Sequence, residues 1–163
     1  NNPLCIQCPL KTRCIARLKG KIDELPVKAA PLIKKKRWFY YLIFEYNGKI
    51  YVRKRGAKDI WENLYEFVLV ETERPITMEN IKATDIFKKI AGKGMPSILQ
   101  VSEMFRQQLT HQTIHSCFIR LKLKNAPLLK DYKAVGYREL SRLPFPKIIT
   151  AYLAENELKA FVQ

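Results

Sequence analysis

The sequence predicts an α+β domain, a mixed β-sheet with helices packed on it, preceded by a tethered, cysteine-bearing loop. Three observations carry this. Trp38–Phe44 is a continuous aromatic and aliphatic run, the pattern of a strand covered on both faces, and Asn47-Gly48 follows it. Two stretches of helical apolar spacing, opening at Thr77 and at Pro146, stand among segments that read as strands. Cys5, Cys8 and Cys14 fall within ten residues at C-x2-C-x5-C spacing, and Pro3 and Pro9 keep that run out of a regular helix.

Residues 1–18 are read as the cysteine loop and 19–36 as a linker. The stretch 15–36 is punctuated by Gly20, Pro26 and Pro31, is closed by Lys34-Lys35-Lys36, and has no sustained apolar period. Within it, Leu25-Pro26-Val27-Lys28 reads as a short extended piece. The domain proper is expected over 37–155. Arg37–Tyr46 is its first strand, Asn47-Gly48 supplies the two positive-φ residues of a type I′ hairpin, and Lys49–Arg55 returns with Ile50 and Val52 on one face. Gly56–Glu62 is a loop and Leu64–Glu71 a third strand. Thr77 can cap a helix running to about Ile90, with Met78, Ala83, Ile86, Phe87 and Ile90 near one side and Gly92-Lys93-Gly94 at its end. Ser97–Gln107 reads as a strand, Leu109–Gln112 as a turn, and Ile114–Lys124 as a strand that points Cys117, Ile119, Leu121 and Leu123 at the core. A short strand lies near Tyr132–Val135. Leu143-Pro144-Phe145-Pro146 opens a last helix that buries Ile148, Ile149, Tyr152 and Leu153. Residues 156–163 form a tail without a readable pattern.

Thirty Lys and Arg against 15 Asp and Glu give a net charge of +15. Residues 1–37 hold ten of the cations against only Asp23 and Glu24, so more than half of the excess lies there. This balance points to a polyanionic partner, and a basic segment beside a metal loop suits phosphate contacts that position a protein on DNA without reading its sequence. No apolar run approaches the roughly 20 residues that cross a bilayer. The clustered cysteines read as soft metal ligands, not as a secreted disulfide framework, which favours a reducing cytoplasm. Three thiolates are one short of a closed site, and Cys117 is far along the chain in a strand. A fourth ligand is therefore expected upstream of Asn1, and the chain reads as part of a longer protein.

Three features together resemble the C-terminal part of MutY-type adenine DNA glycosylases. Cys5-x2-Cys8-x5-Cys14 resembles the end of that family's C-x6-C-x2-C-x5-C iron–sulfur loop, with the first cysteine missing. Arg53 and Ile60-Trp61-Glu62-Asn63-Leu64-Tyr65-Glu66-Phe67 resemble its Gly-Leu-Trp-Glu-Phe-Pro segment, with Tyr65 for Trp and Val68 for Pro. Leu109-Thr110-His111 stands at the place of its Phe-Ser-His turn, and Leu143-Pro144-Phe145-Pro146 fits its closing helix. The resemblance implies a Nudix/MutT-like fold that recognises 8-oxoguanine opposite adenine through Leu109, Thr110 and His111. It implies that Cys5, Cys8 and Cys14 are three of the four ligands of a 4Fe-4S cluster, absent or incomplete without the first. It puts Lys11, Arg13 and Arg17 where basic residues meet the DNA backbone. The implied partners are duplex DNA carrying 8-oxoguanine:adenine mispairs and an N-terminal helical domain that excises adenine. The implied state is a monomer in the bacterial cytoplasm, at the nucleoid. The catalytic residues belong to the N-terminal domain, so this chain alone is expected to be inactive.

The chemistry fits those residue types. Oxidation of guanine at C8 protonates N7, which then donates a hydrogen bond where guanine accepts one. A hydroxyl such as that of Thr110 can accept it, and it can also donate, which limits discrimination to about 1–3 kcal/mol. Leu109 would wedge beside the base and His111 would reach another edge or a phosphate. From spacing alone Thr110 is a structural turn residue; the resemblance gives it a role. Trp61, Tyr65 and Phe67 read as core, and Arg53 and Arg55 as either phosphate contacts or a solvated strand face. Two rival functions stand beside this one. A metal-binding, basic DNA-interaction module needs no lesion contact. A Nudix pyrophosphohydrolase fits Gly56 and Glu62, but the rest of its box, due at residue 70, reads Val70-Glu71-Thr72-Glu73-Arg74-Pro75. Arg74 and Pro75 stand where metal-binding carboxylates belong, and Pro75 would break the helix carrying them.

Overall fold

A parallel ladder joins two strands that are far apart in sequence, and the rest of the domain is laid on either side of it. The computed structural model describes residues 3–25, 27, 34–92 and 94–156. The chain divides into two units, Asn1–Ile33 and Lys34–Gln163. The first holds α1 (Ile15–Leu18). The second runs β1 (Lys35–Tyr46), β2 (Lys49–Lys54), β3 (Tyr65–Glu66), β4 (Val68–Thr72), α2 (Met78–Ala83), α3 (Asp85–Ala91), β5 (Ser97–Val101), β6 (Phe105–Gln108), β7 (Gln112–Lys122), β8 (Lys133–Gly136), α4 (Tyr137–Leu140) and α5 (Lys147–Glu155). β1 pairs in parallel with β7 from Lys35↔Gln112 to Glu45↔Lys122. Its other edge takes β4 antiparallel from Trp38↔Thr72 to Leu42↔Val68, then β2. β5 and β6 follow one another along the far edge of β7, while β3 and β8 pair with β2.

The continuous apolar run of β1 is buried on both sides, as its composition requires. On one face Phe39, Tyr41 and Ile43 meet Ile114 and Phe118 of β7 and Ile148, Ile149, Tyr152 and Leu153 of α5. The Phe118 and Tyr152 rings stack there at 4.1 Å. On the other, Tyr40, Leu42 and Phe44 meet Cys117, Ile119 and Leu121 of β7, Ile81 of α2, and Phe87 and Ile90 of α3. Asn47 (φ 48°) and Gly48 (φ 67°) turn the hairpin into β2. Both angles lie in the left-handed region that a type I′ turn demands.

Four expected elements are divided or extended. The helix from Thr77 stops at Ala83. Thr84 is extended (φ −66°, ψ 146°), and its hydroxyl accepts the Phe87 N–H, so the residue ending α2 caps α3. Thr77 does cap α2, in a reciprocal box with Asn80. The strand from Ser97 breaks after Val101. Ser102 replaces the ladder there, its N–H donating to Phe118 O (2.9 Å) and its Oγ accepting from Phe118 N (2.9 Å). The strand at 64–71 splits because Tyr65–Glu66 pairs with β2 while Val68–Thr72 pairs with β1, with Phe67 wholly buried between them. The stretch read as a linker begins with structure: α1 opens after Cys14, and hydrogen bonds continue to Leu25 N→Lys21 O (3.1 Å). α4 has no counterpart in the sequence reading. Pro26, Pro31, Lys93 and the tail beyond Asn156 lie outside the described residues.

A network of ions closes the mouth of the β1–β4–β2 side. Arg37, nearly buried, sends Nε and Nη2 to the two oxygens of Glu71 (2.6 and 2.8 Å) and Nη1 and Nη2 to those of Asp59 (2.8 Å each). Arg55 bonds Asp59 (2.7 Å), Ile60 O (3.0 Å) and Glu66, and Glu66 also accepts from Arg53 Nε (2.9 Å). The side chains of Arg55 and Glu66 are only 7% and 2% exposed, so neither can fall back on water. Removing one member of such a pair leaves an uncompensated buried charge. Arg55→Ala should therefore cost about 3–5 kcal/mol in chemical denaturation, while Arg55→Met with Glu66→Leu should recover most of that loss.

The hydrogen bonds from Arg37 hold the Asp59 carboxyl down to about 2, from an ordinary 3.8. A depressed carboxylate contributes its stability above its unfolded value and loses it as pH falls through its folded one. Thermal unfolding should show a stability decline between about pH 4 and pH 2 that is shallower in Asp59→Asn.

Candidate nucleic-acid interface

The β6–β7 hairpin carries the expected turn. Its arms pair from Phe105↔Ser116 to Gln108↔Thr113, and Leu109 N donates to Gln112 O (2.8 Å) to close Leu109–Gln112. Lys35 N donates to His111 O (3.1 Å), which ties the turn to the first residue of β1. Leu109 is half-buried and packs on the core cluster that holds Phe118 and Tyr152. That packing anchors the turn on the core. Thr110 and His111 are exposed at the tip, and among the described residues neither side chain has a hydrogen-bond partner. A hydroxyl and an imidazole are thus presented to solvent on backbone fixed at both ends and from the side.

Next to the turn, one face of the sheet carries cations and rings. The registers Lys36↔Thr113, Trp38↔His115, Gln108↔Thr113 and Arg106↔His115 put these side chains on a common face. The Trp38 and His115 rings stack at 5.0 Å with planes 12° apart. Burial, then Arg106, then Lys36, push the His115 imidazole below its ordinary 6.5. Nothing in the sequence reading flagged this pair, because it forms across strands 77 positions apart; only the parallel register brings them together.

Arg53 and Arg55 are both ion-paired: Arg55 is buried, while the Arg53 side chain stays 40% exposed on the strand face. Both are committed to Glu66, and Arg55 also to Asp59. Glu71, the carboxylate where a Nudix box would resume, is likewise held by Arg37 from within strand β4. The next two helices, α2 and α3, carry only Glu79 and Asp85 as acids, on opposite sides of the break at Thr84. Two carboxylates six residues apart across a break are not the close set a divalent cation takes.

In the first unit Cys5, Cys8 and Cys14 are half-buried free thiols, and all three line one cavity of about 390 Å³ with Leu4, Ala16, Ile22 and Leu25. Among the described residues no three His, Cys, Asp or Glu side chains are gathered tightly enough to ligate an ion as they stand. Arg17 Nη1 donates to Cys5 O (3.0 Å), closing the loop on itself, so this guanidinium is already engaged in the loop's own structure. Lys11 and Arg13 are exposed. Among the described residues no helix is long and apolar enough to cross a membrane.

With its ring partly buried between cations, His115 should titrate by NMR with a midpoint below 6.5, and Arg106→Gln should move that midpoint up. The sign for stability follows: a depressed imidazole favours folding above 6.5 and loses that contribution as pH falls through its folded midpoint. A midpoint at or above 6.5 would contradict the packing described.

The profile of the NUDIX domain matches residues 39–155, most of the second unit. The adenine DNA glycosylase of Buchnera aphidicola subsp. Schizaphis graminum is 28% identical over 137 residues, 83% of this chain. The chain spans 37% of that relative's length. The MutT protein of Methanosarcina mazei Go1 superposes with a TM-score of 0.56 at 11% identity, over 80% of this chain and 99% of that one. The C-terminal domain of mouse MUTYH, solved in complex with human PCNA, superposes with a TM-score of 0.54 at 9% identity, over 76% of this chain and 90% of that one. The two superpositions establish the fold, and the sequence match establishes homology with adenine DNA glycosylases. By its sequence profile and its two-sided mixed sheet alike, the chain belongs to the NUDIX domain family.

Proposed function

We propose that this chain is the lesion-recognising part of an adenine DNA glycosylase, reading 8-oxoguanine opposite adenine while a separate helical domain of the same protein excises the adenine. The observation that carries the reading is the tip of the β6–β7 turn, where Thr110 and His111 stand exposed beside the basic start of β1. The homology with adenine DNA glycosylases supports it, and so does the absence of a Nudix carboxylate set on α2 and α3. On this reading the Thr110 hydroxyl accepts the hydrogen bond from N7–H of the oxidised base. His111 donates to a second edge or to a phosphate, and Leu109 keeps both at a fixed height by its core packing.

Duplex DNA is then the partner, together with the helical domain, and the bacterial cytoplasm is the compartment. Lys11 and Arg13 are the proposed backbone contacts of the first unit, with Arg17 holding the loop that presents them. The residue types there suit an iron–sulfur cluster: three free thiols, soft ligands, line one largely apolar cavity, though as they stand they are not drawn together around one ion. Cys5, Cys8 and Cys14 would hold it, and when bound it supplies a structural cross-link for the loop. In a version extended upstream, iron near four per chain with visible absorbance fits this; one colourless zinc per chain fits the DNA-interaction module instead.

The decisive measurement is binding of the 163-residue chain to duplexes carrying 8-oxoguanine:adenine and guanine:adenine. The native chain should prefer the oxidised duplex by about 1–3 kcal/mol at most. The double variant Thr110→Ala, His111→Ala should bring the two affinities together, and an unchanged preference would remove this turn from recognition.

A further inference from the structure

The proposed lesion contact uses only the tip of one hairpin, and such a contact needs backbone grips close by to hold register. The face beside the hairpin has the right composition. Lys36 and Arg106 are exposed there, on either side of the stacked Trp38 and His115 rings, which are themselves half-buried. Both cations bear on His115 and help to push its imidazole down. Tyr40, the next residue of β1 on this face, is buried and its hydroxyl receives the Ile76 N–H, so the patch ends where the core begins. Gln108, exposed one row nearer the turn, makes the patch continuous with Thr110.

We propose that Lys36, Arg106 and the Trp38–His115 ring pair form a second DNA-contacting station, in which the two cations grip a backbone phosphate each and the stacked rings give them a rigid apolar floor. The occupant is the phosphodiester backbone of the duplex whose damaged base meets Thr110. It is argued from charge complementarity and from continuity with the turn. The inference rests on the reading that this hairpin faces DNA, and not on the lesion preference itself. Arg suits a phosphate through its planar fork, Lys as a mobile point charge, and neither has a carboxylate or hydroxyl partner among the described residues. Trp38 and His115 are stiffened by one another. The cations therefore project from a surface that does not rearrange on binding, which lowers the ordering cost of the contact.

The test is the salt dependence of binding to an undamaged duplex, measured by fluorescence anisotropy with the full 163-residue chain. Each phosphate contact contributes about 0.9 to the slope of log affinity against log salt, so Lys36→Gln with Arg106→Gln should lower its magnitude by about 1.8. A control of equal charge loss, Lys88→Gln with Lys89→Gln on the exposed side of α3, should leave the slope near that of the native chain. An unchanged slope in the first pair, or an equal fall in both pairs, would overturn the proposal. All four positions are exposed, so each variant should remain folded, which thermal unfolding checks. The lesion reading fails separately: if the Thr110→Ala, His111→Ala variant keeps its preference for the oxidised duplex while the Lys36/Arg106 pair loses slope, the station stands and the lesion contact does not.

Discussion

Arg37 fixes the register of a strand whose own sequence leaves it undetermined. A half-buried strand chooses its register by hiding one face and wetting the other, because a slip by one residue exchanges the two. β1 is buried on both faces, so a slip of its apolar run would exchange one apolar face for another. What a slip would break is the position of one guanidinium. Arg37 faces Asp59 and Glu71 with paired bonds to each, and Gln112 at 3.3 Å. Those partners come from the loop after β2, from β4 and from β7, so one side chain aligns β1 against its neighbours on both edges. The Asn47-Gly48 hairpin fixes the other end of the strand. Between these two points the apolar residues have only to fit.

The same ions hold a loop that its backbone would otherwise relax. Lys58, Trp61 and Asn63 have φ of 74°, 61° and 65°, each costing a non-glycine residue on the order of 1 kcal/mol or more. The loop is held by Arg55 N→Leu64 O and Asn63 N→Arg55 O across its base, and by Arg55 and Arg37 on Asp59 within it. The rings then cover the cations: Arg37 and Arg55 both lie over Phe39, and Arg55 also lies near Trp61. Register, loop and core edge are thus one cooperative assembly. Its output is the position of β7 against β1, and hence of the turn that precedes β7. Because His111 O receives the first N–H of β1, the tip is referenced to the aligned strand directly.

Much of this was legible in the residues. Composition gave the two-sided burial of Trp38–Phe44, Asn47-Gly48 the hairpin, and the alternation around Cys117 one of the two buried faces of β7. What remained hidden was long-range. Ser97–Gln107 reads as a single strand because its apolar content does not show that Ser102 will bond Phe118 on a neighbouring strand. Met78–Ile90 reads as a single helix because its apolar spacing survives the break, while Thr84, a moderate helix residue, becomes a cap through its own hydroxyl. The turn Leu109–Gln112 was visible as a turn, and its residues gained a role through the resemblance to a family. The Trp38–His115 stack and the commitments of Arg53 and Arg55 were not visible, since each depends on which strands lie side by side. Leu109 illustrates the limit: nothing in the residues of the turn tells that its side chain packs on the core cluster that holds Phe118 and Tyr152.

The two-sided burial of β1 also bears on how the chain is made. Its apolar run leaves the ribosome well before its parallel partner, since residues paired in that ladder, such as Trp38 and His115, are 77 positions apart. For that interval a segment rich in aromatic residues has an open edge, the condition under which chains associate with one another. Four consecutive cations, Lys34 to Arg37, stand directly before it and act as gatekeepers against intermolecular pairing. A variant that trims this charge to weaken DNA contact would then surrender solubility during synthesis as well, so yield of nascent protein and grip on nucleic acid are constrained by the same few lysines.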